Sequence, residues 1–163
     1  MRRQHFLRWL SGIWAVCLAV TGLPVLHVQG EALSVSAESC ILMEAVTGEV
    51  LYEKAADQQR PMASTTKIMT TLLALENGNL SDMVTFSDDA INNTEGSGIA
   101  RDYGEQMTLE QCLYGVMLES ANECAYAVAE HVGGTVENFV DMMNAKAKEL
   151  GCTNTHFANP HGL

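Results

Sequence analysis

PMASTTKIMTTLLALENG, Pro61 to Gly78, reads as a helix with unusual chemistry in its first turn. Ser64 and Lys67 lie three residues apart, so on a helix they share one face. Ile68, Met69, Leu72, Leu73 and Leu75 spread over most of the circumference, which predicts a helix buried inside a domain rather than one lying on its surface. Asn77-Gly78 is a stop signal. Burial among such residues disfavours the charged form of a lysine and lowers its pKa. A lysine made more neutral in this way can take a proton from a neighbouring hydroxyl. Ser64 is that neighbour, and the positive end of the helix dipole favours alkoxide character there. The pattern points to a serine nucleophile with a lysine base. A Ser-Thr-Thr run is also an ordinary N-cap signal, and a single lysine commonly extends its ammonium to water. Taken alone, S-x-x-K leaves both readings standing.

The surrounding chain has 163 residues, 47% hydrophobic and 18% charged, which suits one globular domain with a real core. Residues 1–37 are of another kind. MRRQHFLR is a basic start, and WLSGIWAVCLAVTGLPVLHV is an apolar run broken by Gly12, Gly22 and Pro24. Small residues follow, with Val35-Ser36-Ala37 the better cleavage site and Gly30-Glu31-Ala32 the second. This is the layout of a secretory signal peptide, so the protein is expected to be exported and extracytoplasmic. The alternative is an uncleaved anchor, since the run is long enough to span a bilayer; the helix breakers and the small-residue exit favour cleavage. Removing Arg2, Arg3, Arg8 and Glu31, a net +2, from the chain's −11 leaves −13 on residues 38–163. Such an acidic surface argues against nucleic acid and against electrostatic docking on anionic lipid. Cys40, Cys112, Cys124 and Cys152 match neither C-x-x-C nor a paired zinc pattern, and are expected to be small buried thiols.

After the signal, Ser39 to Lys54 predicts a β-hairpin around Thr47-Gly48. Asn79 to Ala100 is polar and turn-rich, with a short strand at 83–87. Helices are predicted at 108–118, 122–132 and 136–150 from apolar residues at helical spacing, the last two stopped by Gly133-Gly134 and Gly151. The methionines read as core filling. His131, His156 and His161 make no zinc spacing, so no metal is expected, and His156 and His161 are expected to serve the structure of the final loop. A two-stranded hairpin is marginal by itself, and the chain stops in a loop at Asn159-Pro160-His161-Gly162-Leu163. The expectation is therefore that residues 38–163 are the front part of a longer domain.

Ser120-Ala121-Asn122 falls between two predicted helices. A hydroxyl there could relay a proton to a leaving amine, and an amide could hold a substrate carbonyl or the lysine. Ser120 with Glu123 is equally a capping box. On local grounds the two readings are even.

S-x-x-K opening a helix, followed some fifty residues later by S-x-N on a loop, is the pattern shared by class A β-lactamases and penicillin-binding proteins. In detail the chain resembles the D-alanyl-D-alanine carboxypeptidases, the low-molecular-mass penicillin-binding proteins. The resemblance lies in Tyr52-Glu53-Lys54, in Met62 to Thr70, in Leu113 to Asn122, in Ala129 to Gly134, in Met143 to Ala147 and in Asn154 to Leu163, covering essentially all of residues 39–163. It implies an α/β (α+β) fold of the β-lactamase/transpeptidase type, a helical cluster packed on an antiparallel sheet, here incomplete at the C-terminus. It also implies an acyl-enzyme mechanism without cofactor. Ser64 would attack the peptide bond of a peptidoglycan stem peptide ending in D-Ala-D-Ala, with Lys67 as base, Ser120 passing a proton to the departing D-alanine, and Asn122 positioning substrate and Lys67. β-Lactams would acylate Ser64 as slow substrates. Ser120-Ala121-Asn122-Glu123 stands where the family commonly has Ser-Gly-Asn-Asp, keeping the first and third positions. The family's third motif, K-T-G, does not occur in the chain. Without that strand, which supplies oxyanion and carboxylate contacts, the 163 residues are expected to be nearly inactive. Membrane association is expected only through the signal segment or a missing C-terminal part. The rival reading is a truncated, non-catalytic relative that at most binds cell-wall peptides or partners.

Overall fold

A computed structural model describes residues 33–163. The expected signal peptide lies, up to residue 32, outside the described residues. The chain forms two compact units that meet in sequence at Ala56 and Asp57.

In the first unit, β1 (Cys40–Met43) and β2 (Val50–Lys54) pair antiparallel, with Cys40 opposite Lys54 and Leu42 opposite Tyr52. The hairpin expected from Ser39 to Lys54 is therefore present. Its turn is held by Glu44, whose carboxylate accepts the backbone N–H groups of Val46 and Thr47, and by Gly48 at φ +73°. Lys54 Nζ donates to the carbonyls of Val35 and Ala37, at 3.0 and 2.7 Å, tying the preceding segment to the end of β2.

The second unit begins with a 3-10 turn at Ala63–Thr65 that runs into helix α1 (Thr66–Asn77). Strand β3 (Met83–Thr85), the short helix α2 (Asp88–Asn92) and strand β4 (Gln106–Thr108) follow, and then helices α3 (Leu109–Leu118), α4 (Asn122–Gly133) and α5 (Val136–Glu149). Helix α2 was not legible in the polar stretch 79–100, nor strand β4 in the residues just after it. Ser87 caps α2 by accepting the N–H of Ala90, and Gln106-Met107-Thr108 becomes a strand only by pairing with β3. Thr108 and Gln111 form a reciprocal capping box that starts α3, while Thr135 caps α5. Among the described residues the sheet is two separate two-stranded ribbons, not one continuous layer.

Two apolar clusters both draw on α4. One joins Ala74, Val84, Phe86, Leu109, Cys112, Val116, Cys124 and Val128; the other joins Leu73, Ala129, Phe139, Met143, Ala147 and Phe157. Three expectations fail here. Helix α1 is not buried all round, since Ile68 is 61% and Leu75 54% exposed. Of the methionines among the described residues only Met143 is fully buried. Of the four cysteines among the described residues Cys112 and Cys124 are buried, Cys40 is partly covered and Cys152 is exposed. In each case composition named an apolar residue, but contact with a neighbouring element decides burial. No helix among the described residues is long and apolar enough to cross a membrane.

Candidate active site

Ser64 lies in the 3-10 turn, exposed to solvent, and Lys67 lies in the first turn of α1 behind it. The backbone enters through Ala63 at φ +47°, a left-handed conformation that costs a residue with a Cβ about 1 kcal/mol or more. No side chain caps α1, so the Ser-Thr-Thr run does not serve as the N-cap its composition allowed. Lys67 is 2% exposed and does not reach water. Its Nζ lies 3.3 Å from Ser64 Oγ and donates to the carbonyl of His161 at 3.0 Å. Burial pushes the Lys67 pKa below the ordinary lysine value. The His161 ring is also pushed down, first by its own burial and then by the Lys67 charge. Its Nδ1 accepts the N–H of Leu163 at 3.2 Å, so the ring proton of the neutral imidazole sits on Nε2.

Ser120 occupies the turn between α3 and α4 at φ +55°, again left-handed. Its Oγ donates to Ser64 Oγ at 2.8 Å across 56 residues of sequence. The capping box between Ser120 and Glu123 does not form, because Ala121 is the N-cap residue of α4 and no side chain caps it. The Glu123 carboxylate instead accepts the N–H of Ile99. Gly98 fits beside it because a Cβ there would come within 2.6 Å of a carboxylate oxygen.

Asn122 faces the same loop. Its backbone N–H donates to Ser97 O at 2.8 Å and its Nδ2 to Glu95 O, which fastens residues 95–99 to the start of α4. Its Oδ1 is buried without a hydrogen-bond partner, in a residue 3% exposed. Ser64, Lys67 and Ser120 are thus drawn together by hydrogen bonds. Asn122 is adjacent in sequence to that group without bonding to any of the three. Among the described residues no cluster of His, Cys, Asp and Glu could hold a metal ion.

A second loop reaches the pair, and the sequence reading missed what it does. Thr70 Oγ1 donates to Pro160 O at 2.6 Å, one residue before the carbonyl that meets Lys67. Gly162, at φ +93°, lies so close to the 3-10 turn that a Cβ would stand 1.9 Å from Ala63 O. The available signals were Asn159-Pro160, a turn initiator, and a glycine two residues further on.

This geometry can support nucleophilic chemistry: an exposed hydroxyl, an amine whose pKa burial lowers, and a second hydroxyl within hydrogen-bond reach of the first. The sequence pattern of the D-alanyl-D-alanine carboxypeptidase family matches residues 27–163. A D-alanyl-D-alanine carboxypeptidase of Bacillus subtilis, DacF, is 45% identical over 136 residues, covering 80% of this chain and 35% of that one. The Escherichia coli D-alanyl-D-alanine carboxypeptidase DacC is 39% identical over 143 residues, covering 82% of this chain and 36% of the relative. Among solved structures, a D-alanyl-D-alanine carboxypeptidase of Mycobacterium tuberculosis superposes with a TM-score of 0.77 at 31% identity, over 84% of this chain and 51% of that one. The chain spans about a third of the length of these curated relatives.

Proposed function

The chain belongs to the D-alanyl-D-alanine carboxypeptidase family, and from that premise we propose that its site performs serine acyl transfer on peptidoglycan stem peptides ending in D-Ala-D-Ala. Ser64 Oγ attacks the carbonyl carbon of the bond between the two D-alanines, and Lys67 Nζ takes the hydroxyl proton. The tetrahedral intermediate collapses by breaking the C–N bond, and Ser120 delivers its proton to the departing D-alanine amine and recovers one from the Lys67 ammonium. Water then hydrolyses the ester, returning Ser64 and the shortened peptide. A β-lactam follows the same first step, but its ring-opened leaving group stays attached, so the ester is long-lived. Asn122 Oδ1, buried and without a donor, is available to an N–H of the substrate or to Lys67.

One observation carries this reading. Two separate segments place Ser120 Oγ at 2.8 Å and Lys67 Nζ at 3.3 Å from one exposed oxygen, that of Ser64. A structural lysine would be expected to reach solvent, and a structural serine to cap α4; neither does so. The export of the protein, with residues 1–37 removed and residues 38–163 forming the first part of the catalytic domain, belongs to the same proposal. So does poor turnover by the 163 residues alone, since the third family motif, K-T-G, does not occur in them.

The test is labelling with a fluorescent penicillin, on the protein as its own cell makes it. The expected result is a covalent label that survives denaturation and disappears with Ser64→Ala. A folded protein that takes no label, or one that Ser64→Ala leaves unchanged, would overturn the proposal.

A further inference from the structure

Lys67 meets two partners of different kinds. The Ser64 hydroxyl can donate or accept, whereas the carbonyl of His161 can only accept. An acceptor-only neighbour takes an N–H of the neutral amine and leaves the nitrogen lone pair for the Ser64 proton. A water or hydroxyl in its place could turn round and donate, competing for that lone pair. The orientation of one backbone carbonyl therefore bears on whether Lys67 can act as a base toward Ser64.

That carbonyl is set from behind by one side chain. Asn159 Oδ1 accepts the N–H of His161 at 3.1 Å and the N–H of Gly162 at 2.6 Å, while its Nδ2 donates to Leu163 O at 2.6 Å. A trans peptide unit is planar and carries its N–H and C=O on opposite sides, and no peptide bond here is cis. The unit joining Pro160 to His161 presents its N–H to Asn159 and its C=O to Thr70. The next unit, from His161 to Gly162, presents its N–H to Asn159 and its C=O to Lys67. Two consecutive peptide planes are thus clamped between one carboxamide and one face of α1. Gly162 lets the clamp close, since any Cβ there would strike Ala63 O.

We propose that Asn159 is a positioning residue for the base: it holds the 160–161 and 161–162 peptide planes so that the His161 carbonyl fixes the Lys67 amine toward Ser64. This rests on the reading of Ser64 and Lys67 as nucleophile and base. Asn159 itself touches neither of them; it acts through two peptide units.

The experiment compares wild type, Asn159→Ala and Asn159→Ser by two readouts. The first is the side-chain titration of Lys67 by NMR on isotope-labelled lysine, with only Lys54, Lys146 and Lys148 to tell it from. The ionisable ring that feels the Lys67 charge is that of His161, lowered first by its own burial and then by that charge, so its titration is followed alongside the amine's. The second is the rate of acylation by a fluorescent penicillin. Asn159→Ala is expected to move the Lys67 midpoint up toward the ordinary lysine range as water reaches Nζ, and to slow acylation at neutral pH by about tenfold to a hundredfold. Asn159→Ser keeps a neutral acceptor that can bond an N–H two residues on, so it is expected to fall between the two. A folded Asn159→Ala with the wild-type Lys67 midpoint would overturn the proposal. Should Asn159→Ala fail to fold, Asn159→Ser decides on the same titration: a midpoint moved upward supports the clamp, and an unmoved one overturns it. Absence of label on wild type would count against the Ser64 reading instead, while the titration reports on Asn159 regardless.

Discussion

Two loops reach the Ser64–Lys67 pair, and they bring different things. The turn between α3 and α4 delivers a side chain, the Ser120 hydroxyl, from a residue in a left-handed conformation rooted in the main apolar cluster. The loop at 159–163 delivers backbone, two successive carbonyls, from a segment tied to itself through Asn159. The difference matches the tasks. A group that passes a proton must both donate and accept, which a hydroxyl does and a carbonyl cannot. A group that only orients an amine does so best if it cannot reverse its polarity. The first loop is therefore expected to show its defects in rate, and the second in both stability and rate.

The largest expected separation is at Ser120. Ser120→Ala removes the proton relay and is predicted to slow turnover of a D-Ala-D-Ala peptide by about 10²- to 10⁴-fold, measured as released D-alanine. Its thermal unfolding should stay within about 0.5 kcal/mol of wild type, because the hydroxyl caps nothing. A loss of stability as large as the loss of rate would make Ser120 a structural residue and erase the contrast between the loops. Next comes Gly162→Ala, which forces a Cβ onto Ala63 O at a positive φ. It is predicted to cost roughly 2–4 kcal/mol by denaturant unfolding and to depress acylation with it. Normal stability in that variant would show that the second loop is not seated against the 3-10 turn.

A smaller effect sharpens the account of strain at the first loop. Ser120→Gly should be more stable than Ser120→Ala by about 1 kcal/mol, since glycine tolerates φ +55° and alanine does not, while both lack the hydroxyl and turn over equally slowly. The last effect concerns pH. Burial holds the Lys67 pKa below its unfolded value, so between the two values the unfolded chain binds a proton that the folded chain does not. Stability must then rise with pH across that alkaline window, and the penalty of burying the ammonium is fully present below it. Lys67→Met should remove this rise. Parallel stability curves for wild type and Lys67→Met across the alkaline range would contradict the assignment.

The four main helices of the second unit and the β1–β2 hairpin were legible because each carries its own local signal. Thr108 precedes an apolar stripe, Gly133-Gly134 ends another, and Thr47-Gly48 sits between two apolar runs. Strand β4 was not legible, because Gln106-Met107-Thr108 has no strand character until β3 lies beside it. The site divides in the same way. Ser64 and Lys67 stand three residues apart, so one helical turn predicts their contact. Ser120 reads locally as a cap or a relay alike and only the family resemblance favours the relay; the preference of Glu123 for the N–H of Ile99, a pairing across 24 residues, removes the cap. Asn122 was expected beside Lys67 and spends its donors on Glu95 and Ser97, which nothing in S-x-N foretells. The clamp at 159–163 was hidden for another reason: its functional atoms are backbone oxygens, and a sequence names only side chains.

The central claim is that burial makes Lys67 a base for Ser64, and the most direct measurement is the pH dependence of Ser64 acylation by a penicillin in wild type and Lys67→Met. The account predicts a wild-type rate that climbs with pH through a midpoint below the ordinary lysine range, and a Lys67→Met rate that is far slower and lacks that climb. A Lys67→Met protein that acylates as fast as wild type, or with the same climb, would contradict it.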